Sequence, residues 1–176
     1  MKIMKWLAGI VIALAVVLLI TALALPDEYT VTRSVVINAP ADKIYPLIAA
    51  PAEWKKWSVW NQRDPAMQMS FSGPPSGTGA AWEWQSKTQG NGGMKFTDAT
   101  PPGKLAYELH FEGMGKPSSG AFTLEPQAGG TRVSWAMHGN SDGKLTMRLF
   151  GPFMDKIIGG DFDSGLKNLK KLVEQS

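Results

Sequence analysis

His110 and His138 are the only imidazoles in the chain, and no cysteine accompanies them. A metal site needs three or four ligands at fixed geometry. Alternation along their strands turns both histidines to the wet face, so no metal and no metal-borne chemistry is expected. The missing thiol excludes disulfides, thiolate catalysis and cysteine-based zinc sites. Paired carboxylates for acid-base work should converge from an inner face, whereas Glu83, Glu108 and Glu112 alternate outward. Asp161 and Asp163 flank Phe162 on a helix, and Asp161 is within reach of a cavity mouth; a solvated helix face is the simplest account of both. Arg33 shares its parity with Val31, Val35 and Ile37. A charge on a dry face must be paired or stand at an opening, so Arg33 either forms a structural ion pair or greets an anionic group of a ligand. Gly73-Pro74-Pro75-Ser76-Gly77-Thr78-Gly79 is rich in glycine but lacks the lysine of a phosphate loop, and nothing helical follows it. No Gly-x-Ser-x-Gly elbow is present.

What the chain has in abundance is aromatic and thioether surface. Trp57, Trp60, Trp82, Trp84, Phe96, Tyr107, Phe111, Trp135, Met137, Met154 and Phe162 are expected to project towards one interior. Core packing explains most of such a set. Yet several large rings on a curved sheet seldom close-pack without gaps, and methionine suits adaptable pockets. An apolar pocket with a few polar groups is the usual small-molecule site. These eleven residues, with Arg33, are therefore the candidate ligand-binding positions. No catalytic residue and no cofactor is expected.

Strands must position them. Tyr29 to Asn38 is rich in Val, Thr and Ile and reads as the first strand, ended by Ala39-Pro40. Asp42 to Ala49 has helical spacing that Pro46 keeps short, and Pro51 can start a second short helix carrying Trp54 and Trp57. Met67, Met69 and Phe71 share one face of the next strand, and Trp82 and Trp84 share another. Asn91-Gly92-Gly93 is expected as a hairpin turn before Met94 and Phe96. Leu105, Tyr107, Leu109 and Phe111 alternate with Ala106, Glu108 and His110; Phe122 and Leu124, then Val133, Trp135 and Met137, complete the inner face. Seven strands joined by short turns imply an antiparallel meander with one dry face. Its lid is a helix from Pro152 to Glu174, where Met154, Ile158, Phe162, Leu166, Leu169 and Val173 recur at three- and four-residue steps. Gly159, Gly160 and Gly165 each weaken that helix by roughly 1 kcal/mol relative to alanine, a cost tolerated where the helix bends or something approaches it closely.

The remaining segment is different in kind. Trp6 to Leu25 is uncharged and ends at Pro26. As a helix it reaches about 30 Å, the thickness of bilayer hydrocarbon. Lys2, Lys5 and the α-amino group precede it while Asp27 and Glu28 follow, so the positive-inside bias puts the N-terminus in the cytoplasm and the domain on the extracytoplasmic, periplasmic side. Ala22-Leu23-Ala24 also fits signal-peptidase cleavage, which would release the domain instead. The expected organisation is an anchor or uncleaved signal over residues 1–26 and one domain over 27–176. The sequence pI near 9.1 does not indicate nucleic acid. Without Lys2 and Lys5 only sixteen basic side chains face fifteen acidic ones, and phosphate neutralisation needs a clustered basic face.

The element order resembles the helix-grip fold of the START-like, or SRPBCC, superfamily of polyketide cyclases and lipid-transport proteins. The resemblance is carried by Val31-Thr32-Arg33-Ser34-Val35-Val36-Ile37-Asn38-Ala39-Pro40, by Ile44, by Trp54-Lys55-Lys56-Trp57-Ser58-Val59-Trp60, and by Gly77-Thr78-Gly79 with Trp82-Glu83-Trp84. Gly130-Thr131-Arg132-Val133-Ser134-Trp135 and Phe162-Asp163-Ser164-Gly165-Leu166-Lys167-Asn168-Leu169-Lys170 close it, so that it covers about Tyr29 to Glu174. It implies an α+β domain: a seven-stranded antiparallel sheet wrapped around a long C-terminal helix, with a cavity between them. Three functions fit that fold. The first is a membrane-tethered domain that binds a hydrophobic small molecule or lipid. The second is a cyclase or isomerase in which Tyr107 and Arg33 would serve proton chemistry, and the third is a cavity-free interaction module.

Overall fold

The computed structural model of the protein describes residues 2–175. The α-amino group of Met1 and the side chain of Lys2, which enter the charge argument above, lie outside what is described. The chain runs α1 (Lys2–Ala24), β1 (Glu28–Ile37), α2 (Ala41–Ala49), a 3₁₀ turn (Pro51–Lys56), α3 (Val59–Arg63), β2 (Gln68–Ser72), β3 (Ala81–Gln85), β4 (Gly92–Thr100), β5 (Lys104–Phe111), β6 (Ser118–Gln127), β7 (Gly130–Asn140) and α4 (Leu145–Glu174).

All seven strands form one antiparallel sheet in the order β1-β7-β6-β5-β4-β3-β2. Strands β2 to β7 are a meander, and β1 returns beside β7 because the helical segment between β1 and β2 carries the chain across the sheet. The register lines inward side chains into rungs. Val31, Met137, Gly120, Tyr107 and Phe96 stand opposite one another across five strands, and Arg33, Trp135, Phe122 and Leu105 form the next rung. A one-residue slip would turn every one of these rings to solvent, so burial of the inner face fixes the pairing. Helix α4 lies across this face, burying Phe162, Leu166 and Leu169. Trp54 and Trp57 reach the same core from the 3₁₀ turn and its end; their indole N–H groups donate to Ile48 O at 2.8 Å and Leu47 O at 3.0 Å.

Three expectations change. Helix α4 begins at Leu145, and Pro152 lies inside it. The ring removes a backbone donor and crowds the turn before it, but tertiary ties hold that turn in place. Arg148 makes paired hydrogen bonds to the Asp27 carboxylate, and the start of α4 packs on α1. The β3–β4 turn is Lys87–Gln89, while Gly92 and Gly93 are buried strand residues, with the Trp84 ring lying where a side chain at 92 would go. Phe71, expected inside, is 46% exposed, with the Lys55 ammonium 5.7 Å from its ring centre. It lies near the end of the edge strand β2.

Helix α1 is long and apolar enough to cross a bilayer. Among its described side chains every one is exposed except Ala22, which is buried.

Candidate functional site

Two layers of aromatic rings lie between sheet and helix. The inner layer is solid. Trp135 stacks on Phe162 with ring centres 3.8 Å apart and planes 6° from parallel, and on Phe122 at 4.7 Å. Trp54 and Trp57 meet at 4.6 Å, and both press edge-on against Trp135 at 5.7 Å. Gly165 admits this stack: a methyl there would come 3.2 Å from the Trp135 ring and 3.6 Å from that of Trp57.

Beside this layer is a cavity of about 240 Å³. Its wall includes Trp60, Trp82, Trp84, Tyr107, Phe111, Trp135, Met137 and Phe162 from the sequence-derived set. Trp57 and Phe96 stand behind the wall, both fully buried: Trp57 is held by Trp54, Trp135 and Gly165, and Phe96 by Trp82 at 5.5 Å. Met154 packs on the core one turn of α4 before the cavity begins at Ile157 and Ile158. Strand parity assigns these residues a face but not a depth.

Arg33 lies elsewhere, under α4. Its Nε donates to Asp163 Oδ2 at 3.1 Å, while Nη1 and Nη2 donate to the two Asp155 carboxylate oxygens at 2.8 and 3.0 Å. Asp155, Gly159 and Asp163 follow at four-residue steps on one helix face. The guanidinium lies over Gly159, where any side chain would collide with it. The Arg33 guanidinium beside Asp155 holds that carboxyl below its ordinary value. Of the two readings of Arg33, the geometry is that of the structural ion pair.

The wall also holds residues that sequence reasoning did not assign to it: Trp54, Ser58, Asn61, Met67, Met69, Gln89, Met94, Leu109, Ile157 and Ile158. Met67 and Met69 gave a signal, since they share the inward parity of β2. Asn61 gave none, because the five-residue helix α3 is too short to show a period.

The polar groups of the wall are few. The Tyr107 hydroxyl accepts from Trp135 Nε1 at 2.8 Å and donates to Ala136 O at 3.1 Å. Burial pushes the phenol far above its ordinary pKa, with the Trp135 N–H pulling partly back, so it stays neutral with its proton already engaged. Asp161 lies on the cavity wall, its side chain mostly buried, rather than on a solvated helix face. It accepts from Trp60 Nε1 at 2.9 Å and from Arg63 at 3.0 and 2.5 Å. This carboxylate therefore closes the cavity edge as half of an ion pair. His110 and His138 lie on the outer face, His110 Nε2 3.4 Å from Glu83 and His138 sharing a hydrogen bond with Thr30. Among the described residues no cluster of three or more potential metal ligands occurs.

A family model described as polyketide cyclase / dehydrase and lipid transport matches residues 28–174. Among solved structures, a Chromobacterium violaceum protein is similar at 19% identity and TM-score 0.61, over 82% of this chain and 96% of its own. Ara h 8.0201 is similar at 14% identity and TM-score 0.59, over 85% and 99%. DynU16, a protein in the dynemicin biosynthetic locus, is similar at 16% identity and TM-score 0.55, over 85% of this chain and 48% of its own. Likeness at these identities shows the shared fold. No match was found among curated proteins.

Proposed function

The chain belongs to the polyketide cyclase / dehydrase and lipid transport family, which implies a ligand-binding helix-grip domain, and from that premise we propose that it is a membrane-tethered receptor for a hydrophobic small molecule or lipid. Residues 1–26 are the anchor in this reading and residues 27–176 the binding domain, held on the extracytoplasmic face by the positive-inside bias. Cleavage after Ala24 would release the same domain in soluble form.

The observation that carries the proposal is the cavity: about 240 Å³, walled largely by tryptophan, phenylalanine and methionine, with few polar groups. That volume lies just below the ordinary range for small-molecule pockets, which suits a compact ligand or one chain of a larger amphiphile. It exceeds the void of roughly 100 Å³ below which a packed interaction module would be the better description. A proton-moving cyclase needs a polar group facing the void with a free valence. Of its two sequence candidates, Tyr107 is engaged through both donor and acceptor, and Arg33 is clamped outside the wall. Binding is therefore the better supported use of the space.

The test is to purify the full chain in detergent, extract it with organic solvent and identify the released compounds by mass spectrometry. One apolar species in stoichiometric amount, depleted in a Met69→Trp variant that fills the cavity, is the expected result. Equal recovery from both proteins would overturn the reading.

A further inference from the structure

The first four turns of α4 carry apolar side chains that the domain does not bury. Phe150, Phe153 and Ile157 are 55%, 58% and 58% exposed. Their steps of three and four residues place them within about 60° on one face, and the stripe extends about 10 Å along the axis. Behind it, Met147, Met154 and Ile158 are partly buried. Three large apolar groups in one line are a patch rather than scattered exceptions.

The fold says what faces this patch. Helix α4 packs on α1, and Ala22, near the end from which the chain leaves the proposed span, is the buried α1 residue among those described. The junction is pinned at Asp27. Its backbone oxygen accepts from Ser141 N at 2.7 Å, and its carboxylate accepts from the Ser141 hydroxyl and from Arg148 Nε and Nη2. Phe150 thus lies two residues beyond a side chain bonded to the third residue after α1. The loop after β5 approaches the same junction, with Lys116 Nζ 2.8 Å from Asp142 Oδ1, and it carries Met114, 60% exposed. Lys156 is exposed beside the stripe, as a basic edge suits phospholipid headgroups.

We infer that the amino-terminal half of α4 is a second membrane contact, an interfacial helix that lays Phe150, Phe153 and Ile157 into the lipid surface. This rests on the reading of α1 as a membrane span and adds the route of the ligand. Ile157 belongs both to the stripe and to the cavity wall, and the exposed Phe111 also lines that wall. The mouth therefore opens along the lipid surface, and an apolar ligand enters from the bilayer without crossing water.

The chain has no cysteine, so single labels can be placed in the full-length protein. Phe153→Cys, Val16→Cys and Lys171→Cys, each carrying an environment-sensitive fluorophore, are reconstituted into phosphatidylcholine vesicles. The inference expects blue-shifted emission at positions 153 and 16, quenched by nitroxide-bearing lipid and protected from aqueous iodide, with the reverse at 171. Lipid quenching at 16 but iodide quenching at 153 overturns the second contact and leaves the tether standing. Iodide quenching at both positions overturns tether and contact together. Protection from iodide at 153 that disappears when the protein is diluted in lipid means a second copy covers the stripe, and also overturns the inference.

Discussion

The two halves of α4 have the same apolar periodicity and opposite fates. From Ile158 onward the stripe meets the sheet, and Phe162, Leu166 and Leu169 are buried to 1% exposure or less. Between Leu145 and Ile157, Phe150, Phe153 and Ile157 recur at similar spacing and stay exposed, although Ile157 also lines the cavity. Periodicity alone reports that a helix has an apolar side. What lies against that side is decided by where the helix is tied, at Asp27 near its start and at Arg33 near its middle.

The comparison breaks most clearly with paired truncations. Phe162→Ala removes the ring stacked on Trp135 and is expected to lower stability by about 3–5 kcal/mol, the usual cost for a buried aromatic. Phe153→Ala in the same helix should stay within about 0.5 kcal/mol. Denaturant unfolding of the full chain in detergent micelles measures both, and equal losses would mean that the amino-terminal half is packed rather than free.

The clamp between the halves comes next. Arg33→Met is expected to cost about 1–2 kcal/mol, because charge-assisted hydrogen bonds are lost but Asp155 and Asp163 keep access to solvent. Its pH signature has a definite sign. Arg33 depresses the Asp155 pKa in the fold, so the contribution is whole above the ordinary carboxylate range and is lost as pH falls through the depressed value. Acid unfolding of Arg33→Met should lack that component. Asp27 behaves alike, since the Ser141 hydroxyl and then Arg148 lower its pKa. Acidification should loosen the start of α4 as Asp27 is protonated, and Asp27→Asn should mimic that at neutral pH, as faster amide exchange over 145–157.

The smallest effects separate neighbouring glycines. Gly165→Ala places a methyl against Trp135 and Trp57, so about 1–3 kcal/mol of overpacking outweighs a helix-propensity gain of about 1 kcal/mol. Gly160 is exposed with nothing near its missing side chain. Gly160→Ala should therefore raise stability by up to about 1 kcal/mol. Thermal melts of the two variants should move in opposite directions.

The fold was legible where one face is dry. Alternation brought Trp82, Trp84, Tyr107, Trp135 and Met137 to a common side because the side-chain period of a strand is two and burial fixes the register. It could not say that Trp57 and Phe96 would lie behind the cavity wall, since depth depends on which neighbouring rings arrive first. The early start of α4 was hidden by Pro152, whose local cost is offset by contacts to Asp27 and α1 far away in sequence. The partner of Arg33 did leave a trace. Asp155, Gly159 and Asp163, spaced by four, offer two carboxylates with a flat gap between them.

In the proposed function, the hollow beneath α4 takes up an apolar guest. Full-length protein reconstituted in phosphatidylcholine nanodiscs, titrated with a fluorescent fatty acid analogue, tests it most directly. Saturation at one probe per chain is expected, with tryptophan emission quenched by the bound probe, and loss of both in Met69→Trp. A signal that never saturates beyond that of empty nanodiscs, or one that Met69→Trp leaves unchanged, would contradict it.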